Sequence, residues 1–391
     1  MDKFFSAIIV SFWFILLLSA CHDERGSEPS FVDPTATIIN GNNLNIGKLV
    51  YVAPFATLRA GSNEQFSINI GNESNIQDSV EVDATKGKIV IGDQAIIAHG
   101  ATIRGPSTLG KSGTCPNRRN SCPLFVGFNA EVDGAFIEKD AMVLTLARVA
   151  PGVTIPSGRK VLPGKNITSN TEVEAKTAEV TKADRGFMEG VIEINLTFAR
   201  GYAILADENP DNVRGINFDT GINFDQVRDL PILAGIPTRD PQFRNRIIGG
   251  LIMGDPEDAL NDVMGSNISL RSDEGKGWSI GTISSMAERV VFHALEETRI
   301  ELGNEGHYGF HSVVHGGKTP FKENTTITGD NVSLGDFAVI FRSRIGNNSM
   351  IGKKSLVQEC DLPAGTVVPP NTIAICDPLF SSSFVPSNVE W

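Results

Sequence analysis

Lysine and arginine form no cluster in this sequence. They are outnumbered by aspartate and glutamate, and the formal net charge is −12. Recognition of nucleic acid needs a basic face to neutralise phosphates, so the charge balance argues against such a partner. A long apolar run is missing too. The N-terminal one, residues 4–18, falls short of the roughly 20 apolar residues that a membrane span needs. Aromatic residues other than phenylalanine are few, with three tryptophans and three tyrosines, and only five cysteines and six histidines occur. Helical periodicity is nearly absent from residues 31–165. What is present is enough apolar content (41%) and length (391 residues) to bury cores in two domains of ordinary size.

The chain opens MDKFFSAIIVSFWFILLLSAC. Lys3 starts a short basic region, an apolar stretch follows, and small residues precede Cys21, which reads as a secretory signal. The LSAC ending is similar to a bacterial lipoprotein box. On that reading residues 1–21 are a lipoprotein signal peptide, Cys21 carries a lipid anchor in the membrane, and residues 22–30 are a polar tether. The protein is then exported and lipid-anchored in the cell envelope, on the periplasmic side or the outer membrane. An ordinary signal peptide or an uncleaved anchor is the alternative. Four cysteines remain, an even number that suits disulfides in an exported chain. Cys115 and Cys122 bracket the polar loop PNRRNS and are expected to pair. Cys360 and Cys376 are left as a second pair or as two free buried thiols.

Instead of helical periodicity, a small unit recurs: an aliphatic residue, glycine, then a few polar residues. Ile46-Gly47, Ile70-Gly71, Ile91-Gly92, Leu109-Gly110 and Val126-Gly127 carry it, with β-branched runs such as KIVIGDQAIIAHGATI between them. This hexapeptide type of repeat builds a parallel β-helix, in which each coil buries its core only by stacking on the next. The pattern stops near residue 165. Val191, Ile194, Phe198, Tyr202 and Leu205 then fit a helical face that Pro210 ends. Residues 207–245, rich in Asp, Asn, Gly and Pro, read as a connector. The repeat returns in Ile280-Gly281, Leu334-Gly335, Ile345-Gly346 and Ile351-Gly352. The expected fold is therefore all-β, with two β-helical domains and a helix after the first. Residues 31–168 form the first domain, 169–245 the helix and connector, 246–376 the second domain and 377–391 a C-terminal tail.

Four of the six histidines lie in HALEETRIELGNEGHYGFHSVVHGG, residues 293–317. His307, His311 and His315 are spaced for one helical face, but Gly306, Gly309, Gly316 and Gly317 make helix costly there. Surface histidines of a coil or a metal site are the other readings.

Together these motifs resemble the γ-class carbonic anhydrases. FVDPTATI, APFATLRAG, NIQDSVEV, IIAHGATIRGP and FVGF, in that order, and INLTFARGY after them, carry the resemblance over residues 31–206. In the second half SLRSDEG (269–275), RVVFHALE (289–296) and VVHGG (313–317) resemble the same family. IFRSRIGNN and LVQECDLPAGTVVP resemble the γ-carbonic-anhydrase-like domain of a carboxysome assembly protein.

The resemblance implies left-handed β-helices, a homotrimer, and one metal held by three histidines, the first and third from one subunit and the second from its neighbour. Zinc is the expected ion, with iron or cobalt as alternatives, since imidazole does not choose decisively among them. Three protein ligands leave a position open for water, whose pKa the metal lowers, an effect of which carbonic anhydrase is the worked example. Carbon dioxide and bicarbonate are then the small-molecule partners, and the activity is that of a lyase. In domain 1 the three ligand positions are Asp83, His99 and Arg104, and a fixed positive charge at Arg104 argues against a catalytic metal there. Arg59, Gln77, Asp78 and Asn195 match family positions that hold the interface or orient substrate. In domain 2 His293 matches the first ligand and His315 the third. Arg271, Asp273 and Glu274 fill the Arg-x-Asp-Glu positions, and Glu274 and Glu296 are expected to carry the proton. Two positions depart from the pattern. The family glutamine is Ala287, followed by Glu288, and the second-histidine position is Phe310, so the nearest histidine is His311. The expected ligand set is His293, His311 and His315, in a ring of three copies of domain 2. His307 is a further candidate, and His99 of a neighbouring domain 1 is the alternative. A non-catalytic β-helix, or a hexapeptide-repeat acyltransferase lacking a clear CoA signal, are the competing functions.

Overall fold

The computed structural model describes residues 28–116, 122–218, 224–225, 230–231, 235–236, 244–252, 263–274, 276–295 and 297–391. Among them the chain forms two left-handed parallel β-helices. Short strands return to the same face every third strand, so each stack has three sheets. They have eight, seven and six strands in the first stack, and ten, six and five in the second. The aliphatic column that the repeat implies runs through the interior. Val52, Ile76, Ile97, Val126, Val143 and Val161 lie in register from coil to coil, and each is fully buried.

Corners set the path of the coils. Along one corner of the first stack, Phe55, Ser79, Gly100, Asn129, Leu146 and Gly164 all have left-handed backbone. The amide of Phe55 donates to the Thr35 hydroxyl, and the others bond the carbonyl of the coil before, as in Gly100 to Asp78 (2.9 Å) and Asn129 to His99 (3.1 Å). Glycine is needed where coils touch: a Cβ on Gly92 would lie 2.3 Å from the Gly110 carbonyl oxygen.

The helix expected from Val191 to Leu205 spans Lys182–Glu208. It begins earlier than its apolar periodicity suggests because Thr181 and Asp184 form a reciprocal capping box. The second stack likewise begins before residue 246: strand Ile216–Phe218 pairs with Arg246–Gly249, and Ile216 sits in its core. The stacks share an apolar seam. Ile96, Phe125 and Met142 of the first pack with Val291, Val313, Val339 and Leu356 of the second, and the helix closes one side with Phe198 and Tyr202 against Phe31 and Tyr51. Both cysteine pairs, Cys115–Cys122 and Cys360–Cys376, are joined as disulfides. Residues 1–27, including Cys21, lie outside the described residues. Among the described residues no helix is long and apolar enough to cross a membrane.

Candidate metal centre

The strand period puts His293 and His315 side by side. They end the adjacent strands Val291–His293 and Val313–His315, and the register runs Arg271, His293, His315, Phe341. Alternation sends Phe292 and Val314 into the core of the second stack and the histidines out of it, toward the first stack. His99 sits at the corner of the first stack just before Gly100, fully buried, with its ring stacked on Phe128 at 5.7 Å. The three imidazole rings make a nearly equilateral triangle. Centroids are 5.2 Å apart for His99–His293, 5.2 Å for His99–His315 and 5.1 Å for His293–His315. One nitrogen from each lies within 4.8 Å of the others.

Outer contacts orient each ring. His315 Nδ1 donates to the Gly316 carbonyl (2.7 Å), which leaves Nε2 facing His293 Nδ1 at 3.3 Å. His293 Nε2 lies 3.0 Å from Glu274 and 3.6 Å from Asp273. His99 Nδ1 lies 3.0 Å from Asp78, and its Nε2 is buried without a partner. A carboxylate or carbonyl on the far nitrogen is how ligand imidazoles are held for a metal. Burial lowers the pKa of His99 to about 4 and that of His315 well below the ordinary value, so both are neutral and ready to donate a lone pair. Burial and Arg271 push His293 down, but Glu274 and Asp273 outweigh them and raise it to about 9. Proton and metal therefore compete at that nitrogen.

Arg271 locks the surroundings. It donates to Asp78 (2.7 Å) and to Asp273 (3.0 and 2.9 Å), and its guanidinium lies over Tyr51 and Phe198. Tyr202 donates to Asp273 at 2.6 Å. Burial opposes ionisation of Asp78 and Asp273, yet Arg271 with the histidines holds both well below the usual carboxylate range. Burial raises Glu274 instead, and its Oε2 is buried without a partner.

Of the residues expected from the sequence, Arg271, Asp273, Glu274, His293 and His315 come together. His311 does not join them, and the third corner of the triangle is His99, the alternative ligand. The physical reason is local. His311 is a corner residue with left-handed backbone (φ 56°), its ring stacks on Phe337 at 5.3 Å, and its carbonyl accepts from Asn129 of the first stack at 3.0 Å. That places it against the other domain and outside the triangle. His307 lies in strand Gly306–Tyr308, is exposed, and meets Ser285 at 3.0 Å. Glu296 lies outside the described residues.

The corresponding register of the first stack reads Arg59, Asp83, Arg104, Asp133. These side chains form a ladder of ion pairs: Arg59–Asp83 at 3.8 Å, Arg104–Glu131 at 2.6 Å and Arg148–Glu131 at 3.1 Å. Among the described residues, the three histidines are the one such group that could hold an ion. They open on a cavity of about 320 Å³, with Phe125, Phe128, Phe187 and Val191 on its apolar side and Gln77 and Asn195 among its polar groups.

No family model matches the chain. Individual relatives do. The carbonic anhydrase of Methanosarcina thermophila is 30% identical over 195 residues, 44% of this chain and 72% of that protein. The chain belongs to the γ-class carbonic anhydrase family. The carboxysome assembly protein CcmM of Nostoc is 30% identical over 191 residues, and the match spans 31% of its length. Gamma carbonic anhydrase 1, mitochondrial, of Arabidopsis thaliana is 26% identical over 212 residues, 70% of its length. Within this γ-class family the sequence signal for His99 was its AHG corner, kept in a domain whose other ligand positions are Asp83 and Arg104.

Proposed function

We propose that the chain catalyses the reversible hydration of carbon dioxide to bicarbonate at a metal centre held by His99, His293 and His315, between its two domains. The observation that carries this reading is the triangle of buried imidazoles, each with one nitrogen tied to an outer acceptor and one facing the others. Three nitrogen donors and an adjoining cavity fit a zinc, iron or cobalt ion with a position left open. When bound, such an ion supplies Lewis acidity and makes hydroxide available near neutral pH.

Hydration joins a water oxygen to the carbon of carbon dioxide, and the water loses one proton in becoming the hydroxide that adds. The phenylalanine side of the cavity suits an apolar gas. The amides of Gln77 and Asn195 line the same space and supply donors for the oxygens of bicarbonate. Glu274, with one oxygen on His293 and the other unpartnered, is the group we assign to receive the proton. The first domain has no complete ligand set of its own, so its part is to supply His99. Purified protein should carry about one metal per chain and hydrate carbon dioxide, and alanine at His99, His293 or His315 should abolish both. A parent protein without stoichiometric metal would leave a structural β-helix. We also propose that Cys21 is lipidated and holds the protein to the envelope. Cys21→Ser should release it into the soluble exported fraction, and an unchanged membrane fraction would refute the anchor.

A further inference from the structure

The cavity beside the histidines is larger than carbon dioxide requires. At about 320 Å³ it falls in the size range of pockets for small organic ligands, roughly 300–1,000 Å³. Carbon dioxide has three heavy atoms. The remaining space is bounded by rings: Phe125, Phe128, Phe187, Phe198 and Phe341 all line it. Toward solvent, Gly186 and Gly190 lie one helical turn apart on its wall, and a Cβ at either would meet no atom within 4 Å. Glycine inside a helix is unfavourable relative to alanine, and no neighbouring atom demands it here, so what the two glycines provide is access.

Two buried polar atoms without partners, His99 Nε2 and Glu274 Oε2, belong to residues lining the cavity. Among the described residues the wall carries one carboxylate, Glu274, and the cations Arg271, Lys318 and Arg342. Arg271 is tied to Asp78 and Asp273. Arg342 is paired with Glu359 at 2.8 Å, while Lys318 is exposed at the rim.

We propose that this cavity binds a small aromatic carboxylate, with its ring among the phenylalanines and its carboxylate on the metal-loaded histidine group. For the head group this rests on the metal centre proposed above. The aromatic body is recognised by the rings and by the opening at Gly186 and Gly190. Such a ligand occupies the space that carbon dioxide must cross, so it competes with the gas.

The test uses the full chain loaded with zinc, with metal content measured first. Calorimetric titration with phenylacetate and with acetate reads the ring's contribution, and phenylacetate should bind about tenfold or more tighter. Gly190→Leu fills the opening and should remove that advantage while leaving metal content and acetate binding unchanged. Gly186→Leu repeats the test at the other glycine. Equal affinities for the two acids, or an advantage that survives both leucines, overturns the proposal while the metal centre stands. A chain that takes up no zinc overturns both.

Discussion

Asp78 is the residue through which one domain addresses the other. Its Oδ2 meets His99 Nδ1 at 3.0 Å and accepts from Arg271 of the second stack at 2.7 Å, and its Oδ1 accepts from Ser269. Loss of such an outer partner typically weakens metal binding about 10–100-fold. Asp78→Asn should therefore lower zinc affinity by about that factor, measured by competition with a chelator. Unchanged affinity would mean that stacking on Phe128 holds His99 by itself. His311→Ala should leave metal content at the parent level, because that ring packs on Phe337 away from the triangle. Loss of metal there would restore the ring of second domains. His293 and His315 were legible in the sequence through the resemblance of RVVFHALE and VVHGG to family motifs, and the pair meets because the two residues are in register on adjacent strands. His99 was legible as a histidine at a ligand corner. Which body that corner meets depends on how two stacks pack, and no local spacing encodes it.

At the scale of elements, Ile-Gly and Leu-Gly pairs marked the coils because each names one inward side chain and one tight contact. Residues 207–245 hid the strand Ile216–Phe218 because a composition of Asp, Asn, Gly and Pro reads as loop. The segment read as a tail is a strap. Ser387–Asn388 pairs antiparallel with Thr372–Ile375, and the Trp391 indole donates to the Leu146 carbonyl of the first stack at 2.6 Å. Between them Glu390 contacts Lys165 and Lys176, both at 2.9 Å, and accepts from the Asn166 amide. Burial alone would raise Glu390, but these donors outweigh it and hold its pKa at about 2. A depressed carboxylate stabilises the fold above its ordinary value and loses that effect as pH falls through its folded value. The strap should thus stay docked at neutral pH and loosen as pH falls from about 4.5 toward 2. Amide exchange of residues 387–391 measures this. Glu390→Gln should speed exchange at pH 7 and flatten the acid dependence, and an unaltered profile would mean that Trp391 anchors the strap without it.

For the whole molecule, the decisive fact is that both contributors to the centre lie on one chain. His99 comes from the first stack and His293 and His315 from the second. Buried contacts hold the two together: Arg271 on Asp78, Arg246 on Asp33 at 3.4 Å, Asn129 on His311, and the apolar seam. In domain 1 Asp83 and Arg104 face Arg59 and Glu131 in ion pairs. A site shared between separate subunits falls apart as they dissociate. A site joined by covalent chain does not, because the second domain is held at high effective concentration whatever the protein concentration. One metal per chain and a constant rate of carbon dioxide hydration per chain are therefore expected from micromolar protein down to nanomolar. Sedimentation run alongside reports whether any trimer persists. Activity per chain that declines in step with dissociation would mean that a neighbouring copy completes the centre. Activity that stays level as the protein becomes monomeric would make a homotrimer an addition to the site and not a condition for it.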